Sequence, residues 1–165
     1  MTLFPRSTRK MKLLLSLVFL IGCTSTTEQP KLVESADPQE KIFREPYDDI
    51  WRAVQLAMAT YPIKVNNQDA GVLETESIRG DSAWVSPGQR RPPAGGFRYK
   101  IVVRVVRGRT DRNAPAGRVT ILKSGEIQRD FFSAFEKLPS DGLEELSIMY
   151  RIERELAIDK SLRRQ

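Results

Sequence analysis

Histidine is absent from this chain of 165 residues, and cysteine occurs only once. Without histidine the chain cannot form a Ser-His-Asp triad or a histidine metal site. A single thiol forms neither an internal disulfide nor a zinc site with two or four cysteines. Phosphate-loop and dinucleotide-binding motifs are also missing, because the adjacent glycines Gly95 and Gly96 precede a predicted strand rather than a helix. We therefore predict no catalytic residue, no cofactor and no metal site.

An excess of positive charge is confined to the first residues. The chain carries 27 lysines and arginines against 21 aspartates and glutamates, and four of the basic residues lie within residues 1–22. The remaining residues hold 23 basic and 21 acidic groups, a net charge of +2. Nucleic-acid binding depends on a basic surface, so no nucleic-acid partner is expected.

Residues 1–22 have the arrangement of a secretory signal. A basic stretch precedes the uncharged apolar run LLLSLVFLIG at residues 13–22. As a helix, this run would be about 15 Å long, half the thickness of the bilayer's hydrocarbon core, so it is too short for an ordinary membrane span. We expect residues 1–22 to be a signal peptide that is removed; Met11, followed by Lys12, is an alternative start.

The apolar run ends in Leu20-Ile21-Gly22-Cys23, which resembles the lipobox of bacterial lipoproteins. The resemblance implies cleavage before Cys23 and acylation there, with palmitate-type chains; more than one such chain anchors a protein stably. The alternative is a buried free thiol. Thr24, in place of an aspartate, implies sorting to the outer membrane, on its periplasmic side.

A polar segment follows the cysteine. Residues 24–40 contain two prolines, many small polar residues and only Leu32 and Val33 as large apolar groups. Such a segment cannot bury enough surface to offset the entropy lost on ordering. We therefore predict three regions: a signal peptide at 1–22, a lipidated cysteine with a flexible tether at 23–40, and a folded domain at 41–162.

The folded domain shows period-two and helical patterns in turn. Apolar side chains at spacings of three and four predict a helix over 46–60. Asp141 and Glu144 have the spacing of a capping box at the start of a second helix. The acidic pairs at 48–49 and 144–145 are expected to stabilise the two helix N-termini. The apolar stripe predicted for the second helix is Leu143, Leu146, Met149, Ile152 and Leu156.

Strands are predicted between and before these helices, at 41–44, 63–65, 72–78, 97–106 and 119–127. The clearest is 97–106, in which apolar and mostly basic residues alternate. Residues 108–117 are predicted to be a polar turn, and Gly71 is expected to adopt a positive φ. The order β-α-β-β-β-β-α predicts an α+β fold, an antiparallel sheet of four to five strands with two helices on one face.

Glu74 and Glu76 are the best candidates for acid–base chemistry, because they lie two residues apart on one face of a predicted strand. We instead expect them to form cross-strand ion pairs with Arg98, Lys100 or Arg104.

Residues 81–96 are unusually long for a hairpin connection. The segment holds three prolines and three glycines, together with Trp84, Arg90 and Arg91. Tryptophan and arginine are enriched at protein interfaces, and long loops are often functional. Two interpretations remain open: a protein-binding loop, or a disordered tip whose tryptophan folds back on the sheet edge. In the first case, deletion of the loop is expected to leave the fold intact.

Three segments together resemble the helix-grip domains of BamC-type outer-membrane assembly lipoproteins and their smaller relatives. They are YDDIW at 47–51, GVLET at 71–75, and SDGLEE at 140–145 leading to YRI at 150–152. The resemblance covers about residues 41–160. It implies a helix-grip-like fold and a non-enzymatic accessory of β-barrel protein insertion. BamC itself has two such domains behind a long segment that engages a partner lipoprotein, whereas this chain has one domain and a short tether.

The expected function is therefore protein binding at the cell envelope, with the outer-membrane assembly complex as the implied partner. Alternatives are a carrier of small hydrophobic ligands, held between helices and sheet, and an envelope-stability lipoprotein. Large side chains that would fill such a gap argue against the carrier: Trp51, Met58, Phe97, Tyr99, Met149 and Tyr150.

Overall fold

The computed structural model describes residues 38–90 and 96–163, all within the compact unit Val33–Gln165. The predicted signal peptide, Cys23 and the tether up to residue 37 lie outside the described residues. Arg91 of the predicted protein-binding loop lies outside them as well.

Seven strands and two helices of more than one turn are found in the described residues. In chain order they are β1 (Gln39–Phe43), α1 (Tyr47–Ala57), β2 (Ile63–Asn67), β3 (Val72–Thr75), β4 (Ile78–Arg79), β5 (Phe97–Arg109), β6 (Pro115–Ile127), β7 (Glu136–Leu138) and α2 (Leu143–Leu162). A single 3₁₀ turn, Gly80–Ser82, follows β4.

The strands form one antiparallel sheet in the order β1-β6-β5-β3-β2. Strand β4 pairs with β5 beyond the end of β3, and β7 pairs with β6 beyond the start of β1. The predicted α+β class is confirmed, with seven strands rather than four to five. The strand predicted at 72–78 is divided into β3 and β4, with residues 76–77 between them. Strand β7 was missed because three residues carry too little alternation to predict a strand.

The core lies between one face of the sheet and the two helices. In β5, Tyr99, Ile101, Val103 and Val105 are buried and point to the same side, as the alternation predicted. Helix α1 contributes Ile50, Trp51, Val54 and Ala57 to the same core, and Met58, directly after the helix, is buried there too, so the predicted apolar face is confirmed. Helix α1 contacts β5 and β6, whereas α2 contacts β1 and β6.

The central hairpin is longer than the sequence predicted. Residues 108–117 do not form a turn: β5 continues to Arg109, which pairs with Pro115 at the start of β6, and only residues 110–114 connect them. Backbone pairing continues here although the alternation of apolar side chains has ended. Strand β1 likewise begins at Gln39, opposite Ile121, so the last two residues of the predicted tether belong to the sheet.

Gly71 ends the β2–β3 turn with φ of 66°, as predicted. A Cβ atom at this position would lie 2.2 Å from the carbonyl oxygen of Val105, so glycine is required for space as well as for conformation.

The predicted buried face of α2 is partly wrong. Leu143 and Leu146 are exposed, as is Tyr150, and Ile148 is buried instead. The buried face is Glu144, Glu145, Ile148, Met149, Ile152 and Leu156.

The capping-box prediction is also wrong. Asp141 Oδ1 accepts the Leu143 N–H at 3.2 Å, but Glu144 turns into the core instead of back toward the helix start.

Exposed ion pairs join the two helices. Arg163 Nη1 donates to Asp49 Oδ2 at 2.9 Å, and Arg52 lies 2.6 Å from Asp159. Arg163 thus lies at the C-terminus of α2, where a positive charge complements the negative end of the helix dipole. Exposed pairs of this kind stabilise a fold by about 0–1 kcal/mol each, so the core supplies most of the stability.

Truncating the largest core side chain tests this packing. Trp51 is 1% exposed, and Trp51→Ala should lower the free energy of unfolding by about 3–5 kcal/mol through lost burial and a cavity. Leu56, on the same helix, is 55% exposed, so Leu56→Ala should change stability by about 0.5 kcal/mol or less. Urea unfolding measures both, and similar losses for the two variants would contradict the packing described.

Candidate functional site

Glu144, in the first turn of α2, is a completely buried carboxylate. Its Oε1 atom accepts two hydrogen bonds, from the Tyr61 hydroxyl at 3.1 Å and from the Tyr99 hydroxyl at 3.0 Å. Tyr61 lies just after α1, and Tyr99 lies on β5. One carboxylate oxygen therefore joins three separate elements of the fold.

Lys123 supplies the positive charge opposite this carboxylate. Its Nζ lies 2.8 Å from Glu144 Oε2, and the lysine side chain is only 13% exposed. The contact is an ion pair rather than a directed hydrogen bond, because no described group meets Oε2 with hydrogen-bond geometry. Lys123 Nζ also lies 4.6 Å from the centre of the Tyr99 ring, a favourable cation–π position.

Both tyrosine hydroxyls are held in the protonated form. Burial raises the pKa of Tyr61 far above its ordinary value, and the negative charge of Glu144 raises it further. Burial likewise raises the pKa of Tyr99; the hydrogen bond from the Trp84 backbone lowers it in part, and Glu144 raises it. Protonated hydroxyls are the donors that a buried carboxylate needs, so the cluster is suited to structural support.

Through Tyr99 the cluster also holds the start of the 81–96 loop. The Trp84 N–H donates to the Tyr99 hydroxyl at 3.1 Å, and Ala83 is buried in the core. Trp84 itself is half-buried. Deleting the whole loop would therefore remove core contacts, which counts against the expectation that the fold survives that deletion. Arg90 is exposed.

An open groove of about 470 Å³ lies over this cluster. It is lined by residues 60–62, by residues 77–79 and 81–82 together with Trp84, and by Arg151 of α2. We call it the Tyr61 groove. It lies at one end of the β2–β3 pair, where a hydrogen bond from the Glu76 N–H to the Pro62 carbonyl, at 2.8 Å, joins the residues next to the two strands.

Arg151 is fixed at one wall of the Tyr61 groove. Its guanidinium lies 5.8 Å from the centre of the Tyr61 ring, and Nη1 donates to the Ala57 carbonyl at 3.4 Å. That carbonyl belongs to the C-terminus of α1, the negative end of the helix dipole. The lining also includes Arg79 of β4 and, as its single acid, Asp81. The groove therefore offers two guanidinium groups, hydroxyls and two aromatic rings.

The other acidic pairs have structural positions. Lys100 Nζ lies 3.3 Å from Glu74, the predicted cross-strand ion pair, whereas Glu76 lies beyond the end of β3 and is exposed. Asp48 and Asp49 lie in the first turn of α1, as predicted.

Sequence reasoning missed the cluster around Glu144 because it assigned that residue to a helix cap. Two signals could have found it. Lys123 lies two residues after Ile121 and four after Val119, so alternation along β6 places its charged side chain on the same, buried face. Glu144 lies four and eight residues before Ile148 and Ile152, in line with the buried face of α2. A buried lysine and a buried glutamate are expected to pair.

Comparison of the chain with models of protein families and with curated proteins gave no match. No helix among the described residues combines the length and the apolar character required to cross a bilayer.

Neutralising Glu144 tests the buried pair. Glu144→Gln keeps an acceptor for the two tyrosines but leaves the Lys123 ammonium without its anion, so unfolding should become easier by about 3 kcal/mol or more. Adding Lys123→Met removes the stranded charge and should restore much of that loss. The exposed pair of Glu74 and Lys100 is the control, and Glu74→Gln should change stability by about 0–1 kcal/mol. Equal losses of stability in Glu144→Gln and Glu74→Gln would contradict a larger role for the buried pair than for the exposed one.

Proposed function

We propose that this protein is a periplasm-facing outer-membrane lipoprotein of BamC type, and that it acts as a non-enzymatic protein-binding accessory in outer-membrane protein assembly. The observation that carries the proposal is the Tyr61 groove, whose walls are held by the cluster around Glu144. Docking sites on rigid elements lose less entropy on binding than sites on free loops. Trp84, a candidate binding residue under one of the two interpretations of the 81–96 loop, lines this groove.

The charge of the groove favours an acidic partner segment. Arg79 and Arg151 outnumber Asp81, and the Asp81 carboxylate already accepts the Ser82 N–H at 2.9 Å. Arginine and tryptophan are the side chains that most often dominate binding energy at interfaces. The groove is therefore suited to an extended segment that presents a carboxylate beside an apolar side chain.

Both the filled core and the lining of the Tyr61 groove argue against a carrier of small hydrophobic ligands. Trp51, Met58, Tyr99 and Met149 are buried between helices and sheet, as expected for a filled core, although Phe97 is only partly buried and Tyr150 is exposed. The groove is open and carries charged groups, whereas sites for apolar ligands are mostly apolar.

Anchoring at Cys23 would keep the groove close to the membrane. Fifteen residues separate Cys23 from Gln39, the start of β1. A fully extended chain of that length spans at most about 55 Å. A lipidated Cys23 would therefore restrict the domain to partners at the inner surface of the outer membrane.

Mass spectrometry of the mature N-terminus tests the anchor. We expect a chain that begins at an acylated Cys23, and Cys23→Ser should leave the leader uncleaved or release the protein from the membrane fraction. An unmodified Cys23 thiol in the mature protein would contradict the proposed anchoring.

Site-specific cross-linking tests the groove. A photoreactive amino acid in place of Ser82, an exposed residue of the lining, should give a discrete protein adduct in intact envelopes. Arg79→Glu should lower the yield roughly tenfold, because it reverses the charge of one wall. Replacing Trp84, Arg90 and Arg91 together by alanine should have a similar effect.

The β5–β6 hairpin supplies the control for this experiment. Arg112 is exposed there, so Arg112→Glu makes the same charge change away from the groove and should leave the yield unchanged. Loss of the adduct with Arg112→Glu would indicate a nonspecific charge effect. A small hydrophobic molecule bound in the groove, with no protein adduct, would favour the carrier function.

A further inference from the structure

Two adjacent phenylalanines project into solvent at one end of the sheet. Phe131 and Phe132, in the connection between β6 and β7, are 86% and 91% exposed, the most exposed of the large apolar residues described. Their rings lie 5.3 Å apart in an edge-to-face arrangement. Burying such rings is favourable, so contact of this pair with an apolar surface outside the domain would lower the free energy.

The backbone beneath the two rings is fixed by hydrogen bonds. The Ser133 hydroxyl donates to the Asp130 carbonyl at 2.8 Å and accepts the Asp130 N–H at 3.1 Å. Gln128 Nε2 donates to the carbonyls of Phe131, at 3.3 Å, and Ser133, at 2.9 Å. We call the turn at residues 128–133 the Phe131 tip. Its backbone is already ordered, so binding through the two rings would not require the turn to become ordered first.

We propose that the Phe131 tip inserts into the lipid surface to which the chain is anchored, and thereby orients the domain on the membrane. This inference rests on the proposed lipoprotein anchor for its biological setting. The insertion itself depends only on the tip and on a nearby bilayer.

The point at which the chain enters the sheet supports a lipid surface as the occupant. Strand β1 is antiparallel to β6, with Gln39 opposite Ile121 and Phe43 opposite Gly117. The chain therefore enters β1 from the end of the sheet at which Ile127 leads into the Phe131 tip. Ile127 lies six positions after Ile121 on β6, about 20 Å along the strand. An anchor up to about 55 Å away can place this end of the sheet against the bilayer.

The charges around the tip are balanced. Arg98 pairs with Glu126 at 2.8 Å, and Arg129 pairs with Glu136 at 3.2 Å. The remaining charged residues between Glu126 and Leu138 are Asp130 and Lys137. A balanced surface is not drawn to anionic lipids, so insertion should depend on the aromatic rings and should resist salt.

A tethered vesicle assay tests insertion independently of lipidation in the cell. Cys23 is the single cysteine, so the chain from Cys23 onward can be coupled through its thiol to a maleimide lipid in phosphatidylcholine vesicles. All core residues lie within this chain. Phe132→Trp places a fluorophore at the tip, and Arg112→Trp places the matched control in the hairpin at the opposite end of β6.

Quenching by brominated phosphatidylcholine is the readout. The tether holds the domain at a high local concentration beside the bilayer, so the tip can insert. We therefore expect the tryptophan emission added by Phe132→Trp to be quenched at least about twofold more than that added by Arg112→Trp. Adding Phe131→Ser to Phe132→Trp should reduce the difference, and 0.5 M salt should not. The rings are exposed, so urea unfolding of these variants should match that of the parent chain.

Equal quenching at the two positions would overturn the proposal, as would quenching that requires anionic lipid. A tip that is not quenched but cross-links to an envelope protein in cells would assign the phenylalanines to a protein partner, and would also overturn it. Because the assay supplies its own anchor, a negative result would leave the proposed lipidation of Cys23 unaffected.

Discussion

The buried carboxylate of Glu144 is the constraint on which the packing of α2 against the sheet depends. Removing a carboxylate from water costs several kcal/mol unless opposite charge and hydrogen-bond donors replace the water. Here Tyr61, Tyr99 and Lys123 supply them, from the segment after α1, from β5 and from β6. These groups meet the carboxylate only when all three elements lie in their observed positions against α2. The charged group therefore fixes the position of α2 on the sheet more narrowly than apolar packing alone would.

The cluster around Glu144 connects the core with the groove that we propose binds a partner. Tyr61 lines the groove, and Tyr99 holds the backbone of Trp84. Strand β4 pairs with β5 at Arg98 and Tyr99, and Phe97 and Arg98 pair with Ile127 and Glu126 of β6. The Tyr61 groove and the Phe131 tip therefore lie at the same end of the sheet. In the account proposed here, a tip inserted in the membrane keeps the groove beside the lipid surface, where envelope proteins are encountered.

Periodicity predicted the architecture well and the site poorly, for a physical reason. The buried faces of β5 and α1 consist of apolar residues, so their spacing alone identified them. On α2 the buried face opens with Glu144 and Glu145, and an apolar stripe drawn through Leu143 and Leu146 is rotated away from it. A charged residue is assigned to the surface unless its partner is known, and Lys123 is 21 residues away on another element. Local pattern can place each of these two residues on a buried face, but it does not show that they meet, so it did not reveal the groove beside them.

The hydrogen exchange of the Trp84 backbone amide tests most directly whether the Glu144 cluster holds the groove. The account predicts slow exchange in the parent chain and much faster exchange in Tyr99→Phe, which lacks the hydroxyl that accepts this N–H. The Ile101 amide, which donates to Thr75 Oγ1 at 3.0 Å on the same strand as Tyr99, should remain protected in both proteins. Equally fast exchange of the Trp84 amide in both proteins would contradict the claim that the buried cluster positions the groove.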